Sequence, residues 1–178
     1  MKKVLFALGL LVSSHGLFAQ IHKGNWLAGG SIGFSSDKQG DYKVTSFNFS
    51  PDAGYFFIDQ LAAGLRLGYT SEKVKGQGDA STVFTFAPFV RYYFLPAGQK
   101  VNVFADGEYG FGKGGQKDKV NLNEYAISAG PAIFLSPNTA LEFKLYYQSF
   151  GGKYYENAND DRYNRFGLNI GFQVHLGK

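Results

Sequence analysis

The sequence predicts an all-β fold: an eight-stranded antiparallel up-and-down transmembrane β-barrel, preceded by a cleaved signal peptide. Three observations predict it. Segments such as residues 138–148, NTALEFKLYYQ, alternate bulky and polar residues. Leu141, Phe143, Leu145 and Tyr147 share one face of such a strand while Glu142, Lys144 and Gln148 share the other, because strand side chains point alternately to two sides. Eight such segments succeed one another through connections that alternate between tight and long. The bulky faces carry no charge, and they are too voluminous to be the inside of an eight-stranded barrel.

The first residues, MKKVLFALGLLVSSHGLFAQ, place Lys2 and Lys3 before an apolar run from Val4 to Val12 and then small and polar residues up to Ala19. That run is far short of the roughly 20 residues a transmembrane helix needs, so residues 1–19 are expected to be a secretory signal cut after Ala19. Residues 20–178 are then one barrel domain. Lys2 and Lys3 leave with the signal, so of 18 Lys and Arg the mature chain keeps 16 against 14 Asp and Glu. So small an excess gives no reason to expect a nucleic-acid partner. With no cysteine there is no lipid-anchored thiol, disulfide or thiolate metal site. The 24 Gly and the 18 Phe and 12 Tyr favour strands and tight turns, and no apolar stripe of helical period follows residue 20.

The strands are expected near 25–35, 44–57, 61–71, 82–95, 100–112, 122–135, 139–149 and 163–176. Their length suits a tilted crossing of a bilayer, whereas strands of globular proteins average about 5 or 6 residues. Connections near 58–60, 96–99 and 136–138 are tight; those near 36–43, 72–81, 113–121 and 150–162 are longer and polar. Pro51, Pro88 and Pro131 cannot donate a ladder hydrogen bond, and bulges or broken pairing are expected at each.

The bulky faces run from Trp26, Ile32 and Phe34 on the first strand to Phe166, Leu168, Ile170, Phe172, Val174 and Leu176 on the last. The opposite faces are small and polar, as in Gly29, Ser31 and Gly33 or Gly167, Asn169, Gly171 and Gln173. They also hold the charges: Asp52, Arg66, Arg91, Asp106, Glu108, Glu124, Glu142, Lys144 and Arg165. A Lys or Arg facing lipid at the midplane would cost about 2 to 4 kcal/mol, so the charged faces are expected inside, paired across the lumen. Tyr55, Tyr69, Tyr92, Tyr109, Tyr147 and Trp26 lie toward strand ends, where amphipathic rings suit a membrane interface.

Sharper chemical motifs fail on context. GEYGFGKGG has the glycine spacing of a phosphate loop, but Gly114 stands where Ser or Thr is needed and no helix follows. Asn157, Asn159, Asp160 and Asp161 offer oxygens without the spacing of a calcium loop, so no metal site is expected. Asp106 and Glu108 share a face and could do acid–base work, but a salt-bridge network with Arg66 and Arg91 is the plainer reading. A hydrolytic serine needs a histidine base, and after the signal the only histidines are His22 in the N-terminal tail and His175 near the end of the last strand. No catalytic residue and no cofactor is expected.

The last strand, NIGFQVHL, carries Asn169, Gly171, Val174 and Leu176 in the polar, glycine and alternate-hydrophobe spacing with which outer-membrane barrels end. With that segment and the eight alternating strands, the chain resembles the OmpA/OmpX-like family of eight-stranded outer-membrane barrels of Gram-negative bacteria along its whole mature length. Gly177 and Lys178 follow the motif and its last hydrophobe is Leu rather than Phe or Trp, two departures from the usual pattern. The resemblance implies the cell outer membrane as the location and outer-membrane lipid as the surroundings. It also implies the barrel-assembly machinery and periplasmic chaperones as partners during biogenesis, with Asn169, Gly171, Val174 and Leu176 as the assembly signal. The His and Ser two apart on one strand, found in similar barrels that deacylate lipid A, are absent, since Gly177 stands two after His175. The expected function is a barrel plugged by its lumen charges that works through its loops, in a structural or surface role toward an unnamed extracellular ligand. The alternative is a small channel for small or apolar solutes, and a lipid-modifying enzyme is the remote third.

Overall fold

The computed structural model describes residues 21–39, 42–76, 78–155 and 161–177. The expected signal segment 1–19 lies outside these, as do Asn157, Asn159 and Asp160. Eight strands follow in order: β1 Trp26–Gln39, β2 Tyr42–Ile58, β3 Leu61–Val74, β4 Ser81–Tyr93, β5 Val101–Gly115, β6 Val120–Ser136, β7 Thr139–Gly151 and β8 Tyr163–Leu176. Each pairs antiparallel with the next, and β8 returns to β1, closing the barrel in simple up-and-down order. Closure pairs strand edges with one another along most of the wall, which a sheet in hydrocarbon requires.

The alternating pattern becomes the two walls of the barrel. Phe143 and Leu145 are exposed on the outside, while Glu142 and Lys144 between them are buried. Outward rings gather in two belts. Trp26, Tyr55 and Tyr92 lie toward the end with the short turns, and Tyr69, Tyr109, Tyr125 and Tyr147 toward the other, here called the turn end and the loop end. Trp26 packs edge-on against Tyr55 at 5.2 Å, and the rings of Tyr69 and Phe84 lie tilted to one another at 4.9 Å. Val174, expected on the outer face, is buried.

Six strand ends at the loop end run two to four residues past the expected limits. The connections expected at 36–43 and 113–121 shrink to residues 40–41 and 116–119. The apolar alternation marks only the part of a strand that lipid covers. The hydrogen-bond ladder needs no such cover, so polar segments such as Tyr42–Thr45 continue it beyond the belt.

Each of the three prolines coincides with a gap in one ladder. Pairing between β2 and β3 passes from Phe49↔Tyr69 to Asp52↔Arg66, skipping Ser50 and Pro51. Between β4 and β5 it passes from Phe86↔Phe111 to Phe89↔Glu108, skipping Pro88, and between β6 and β7 from Ala129↔Leu145 to Ala132↔Glu142, skipping Pro131. Register is unchanged across every gap, and on its other side each proline stays paired: Gly30↔Pro51, Leu65↔Pro88 and Val103↔Pro131. The missing N–H therefore removes local pairing without shifting a strand. The seam is shorter: the β1–β8 ladder runs from Trp26↔Leu176 to Ile32↔Ile170 and ends there, although both strands continue toward the loop end.

Candidate functional site: the lumen

From the turn end upward, the lumen is filled in three layers. The lowest is apolar. Ile21, Leu27, Phe56, Phe89, Tyr93, Phe104 and Phe134 form one buried cluster with Ala62, Ala132 and Ala140. His175 is fully buried among it, its ring 5.3 Å from Phe134, 5.8 Å from Tyr93 and 5.9 Å from Phe56. Its Nε2 lies 3.3 Å from the Tyr93 hydroxyl, so among the described residues this histidine faces rings and a phenol, not a serine. The base is closed by residues 21–25. The Gln60 amide donates to the Ile21 carbonyl, Gly24 donates to Phe56, and the Lys23 amide donates to Asp59 Oδ1 at 2.7 Å. The expectation of a uniformly small and polar interior is corrected here. Large rings do fit, because glycine and alanine stand opposite them: a Cβ on Gly54 or Gly64 would come within 3.2 or 2.8 Å of the Phe89 ring.

Above this layer the charges meet. Asp106 on β5 is the hub: its Oδ2 accepts from Arg91 Nη2 at 2.6 Å and Arg66 Nη2 at 3.4 Å and lies 3.6 Å from Lys144 Nζ, while its Oδ1 accepts from Ser128 at 2.7 Å. Arg91 Nη1 donates to both oxygens of Glu142, at 2.9 and 3.2 Å. Arg66 donates to Asp52 Oδ2 at 3.1 Å and also pairs with Glu108. Gln173 donates to Asp52 Oδ1 at 2.9 Å, and Tyr93 ties the apolar layer to the ionic one by donating to Glu142. The cations rest on the rings beneath them: Arg91 lies 4.6 Å from the centre of Phe104 and Arg66 4.9 Å from that of Phe89. Four strand-borne carboxylates, Asp52, Asp106, Glu108 and Glu142, thus share Arg66, Arg91 and Lys144. Burial makes such charges tolerable only while they are paired.

Two of the expected network members stand apart from this knot. Arg165 lies nearer the loop end and pairs across the lumen with Glu72 on β3 at 3.1 Å, a residue the expected loop 72–81 had placed outside the barrel wall. Glu124 accepts from the neutral Gln148 at 2.9 Å rather than from an arginine. Their separation follows from strand position: Glu124 sits four residues from the start of β6 and Arg165 two from the start of β8, both near the loop end.

The third layer is a polar cavity of about 80 Å³ between this network and the mouth, lined by Ser31, Asn48, Thr85, Ser128, Gln148 and Asn169 among others. Its mouth is narrowed by the β7–β8 connection. Tyr155 stacks on Tyr163 at 5.5 Å and packs on Phe150 at 4.8 Å, while the Tyr154 hydroxyl lies 2.6 Å from Ser81 Oγ. Burial pushes the Tyr155 phenol above the ordinary tyrosine range. Tyr154 and Tyr155 could have been noticed only as two adjacent rings in a polar loop; nothing in their spacing says which way they fold.

Of the C-terminal motif, Asn169 lines the cavity and Gly171 is inward beside Glu142, while Leu176 is outward at the seam, paired with Trp26.

The sequence matches the family model described as outer membrane protein beta-barrel domain over residues 4–177. The chain belongs to this family. It is an outer-membrane β-barrel protein, with the cell outer membrane as its location. None of the curated proteins compared with it matches. Among solved structures it is similar to the outer membrane protein OprG from Pseudomonas aeruginosa, with a TM-score of 0.59 at 13% identity, covering 90% of this chain and 99% of that one. It is also similar to Neisserial surface protein A, with a TM-score of 0.55 at 16% identity, covering 84% of this chain and 94% of that one. At such identities the likeness is one of fold.

Proposed function

We propose that this outer-membrane barrel is closed to solutes and serves a structural or surface role, presenting its loop end to the outside and its turn end to the periplasm. The observation that carries this reading is Arg91, fully buried at mid-lumen, bridging Asp106 and Glu142 directly above a fully buried layer of Phe56, Tyr93, Phe104 and His175. An ion crossing the barrel would have to break buried charge pairs and then pass a dry ring layer, and neither step is offset by water. No catalytic chemistry is assigned to the lumen: Asp52, Asp106, Glu108 and Glu142 are engaged with Arg66, Arg91 and Lys144, and the buried His175 faces aromatic rings and the Tyr93 hydroxyl.

The test is conductance of the purified full chain in a planar bilayer. The expected result is no steady current, and a large stable conductance would overturn the reading in favour of a channel. A narrower second reading has its own support in the ladder gaps at Pro51, Pro88 and Pro131 and in the seam left unpaired above Ile32↔Ile170. There a small apolar solute would leave the polar cavity sideways into the bilayer rather than cross the plug. A double-cysteine link between positions 34 and 168 across the seam, blocking uptake of such a solute by intact cells, would favour that route.

A further inference from the structure

The outer wall is not evenly convex. Across β2 to β6, toward the loop end, it is hollowed into a groove of about 960 Å³, walled by Phe49, Leu67, Tyr69, Phe84, Phe86 and Phe111 and floored in part by Gly68 and Gly112. Its apolar walls lie on the face that meets hydrocarbon. One rim, however, is cationic. Lys113 is paired in register with Phe84 and is exposed at the groove's edge. Lys119, also on the rim, has its amine fixed by the Gly115 carbonyl at 2.7 Å, the Thr82 carbonyl at 3.3 Å and the Thr82 hydroxyl, so its charge is held in place. Lys43 on β2, Lys73 on β3 and Lys75 just past the end of β3 are also exposed at the loop end, with the Lys75 amide donating to the Lys43 carbonyl.

An apolar trough under an ammonium rim is complementary to one kind of ligand, an acyl chain joined to an anion. Any lipid would fill the trough, but only one with negative charge at headgroup depth would also answer the lysines, which act on phosphate as compact point charges. We propose that this groove seats a phosphorylated acyl lipid of the outer leaflet, with acyl chain between Leu67, Phe86 and Phe111 and phosphate at Lys113 and Lys119. The assignment rests on the sidedness proposed above, and it goes beyond general contact with bilayer lipid by naming one site and its headgroup chemistry.

The test is native mass spectrometry of the full chain, folded in detergent, with lipid A bearing two phosphates and with the same lipid after its phosphates are removed. This comparison needs no variant. A saturating one-to-one adduct is expected with the phosphorylated form and at least ten-fold weaker binding without phosphate. K113Q/K119Q should lose the preference, and Leu67→Trp, which fills the trough, should lose both adducts, while Lys100→Gln at the turn end should bind as wild type. Folding of each variant is read from its unheated migration in detergent gels. Equal binding of the two lipids, adducts that accumulate without saturation, or a folded K113Q/K119Q that retains the preference would each overturn the proposal. Sidedness is read separately by cysteine labelling, so a barrel that labels as expected but binds both lipids alike refutes the lipid site alone.

Discussion

Arg91 on β4 reaches across the lumen to Glu142 on β7 and grips both of its carboxylate oxygens, while its other terminal nitrogen is bound 2.6 Å from Asp106. Nearly opposite walls of the barrel are therefore tied through one side chain. Truncating one partner of a buried pair typically costs about 3 to 5 kcal/mol, because the remaining charge is left without compensation. Arg91→Ala is expected to lower the temperature at which the barrel unfolds in detergent, read by the shift of its gel band on heating. From the sequence alone the same substitution would be expected to open a leak. With the Phe56, Tyr93, Phe104 and His175 layer beneath it, conductance is expected to stay low unless Tyr93→Ala is added.

Lys144 and Leu145 are neighbours that point to opposite sides of the wall, one buried and one outward. Leu145→Arg drives a charge into hydrocarbon, with an expected loss of about 2 to 4 kcal/mol near the midplane. Lys144→Gln keeps an amide near Asp106 and should be milder. The check is the yield of heat-modifiable barrel in outer-membrane fractions; a reversed order would mean that the bulky face is the inside.

Cysteine placed at Gly78 or Gln116, on loop-end connections, should react with an impermeant thiol reagent on intact cells, and cysteine at Gln99, in the connection between β4 and β5, should not. Labelling at position 99 on unbroken cells would invert the orientation.

Asp59, in the turn between β2 and β3, accepts the Lys23 amide and lies 3.6 Å from His22, and the amide above all holds its carboxyl below the usual aspartate range. A carboxyl so lowered contributes stability that is present above its unfolded pKa and is lost as pH falls through the folded one. The contribution at this exposed site is small and salt-sensitive. Carboxyl NMR should find the Asp59 midpoint below that of exposed aspartates, and Lys23→Pro, which removes the donor, should return it to the ordinary range.

Much of the barrel was legible because lipid and lumen impose opposite demands on successive residues, as Phe143 to Lys144 to Leu145 illustrates. The inward direction of Arg66, Arg91, Asp106 and Glu142 follows from the same rule. What the rule hides is the turn-end plug. In FVRYYF and VNVFAD the inward Tyr93 stands between the outward rings of Tyr92 and Phe94, and the inward Phe104 between Val103 and Ala105, so around these two residues both sides of the strand are apolar and alternation fades. A run apolar on both faces is itself a sign of burial on both sides, but it does not say which residue is inside. The Arg165–Glu72 pair was hidden differently: β3 continues through Glu72 in polar residues, where no hydrophobic pattern traces it.

The incomplete seam bears on how the molecule is made. Pairing of the first and last strands is confined to Trp26–Ile32 against Ile170–Leu176, and this stretch of β8 contains all of the expected assembly signal but Asn169. If an assembly factor held this segment through its strand edge, as the resemblance implies, the factor and β1 would compete for the same backbone hydrogen bonds, and closing the barrel over Trp26–Ile32 would require letting go of the factor.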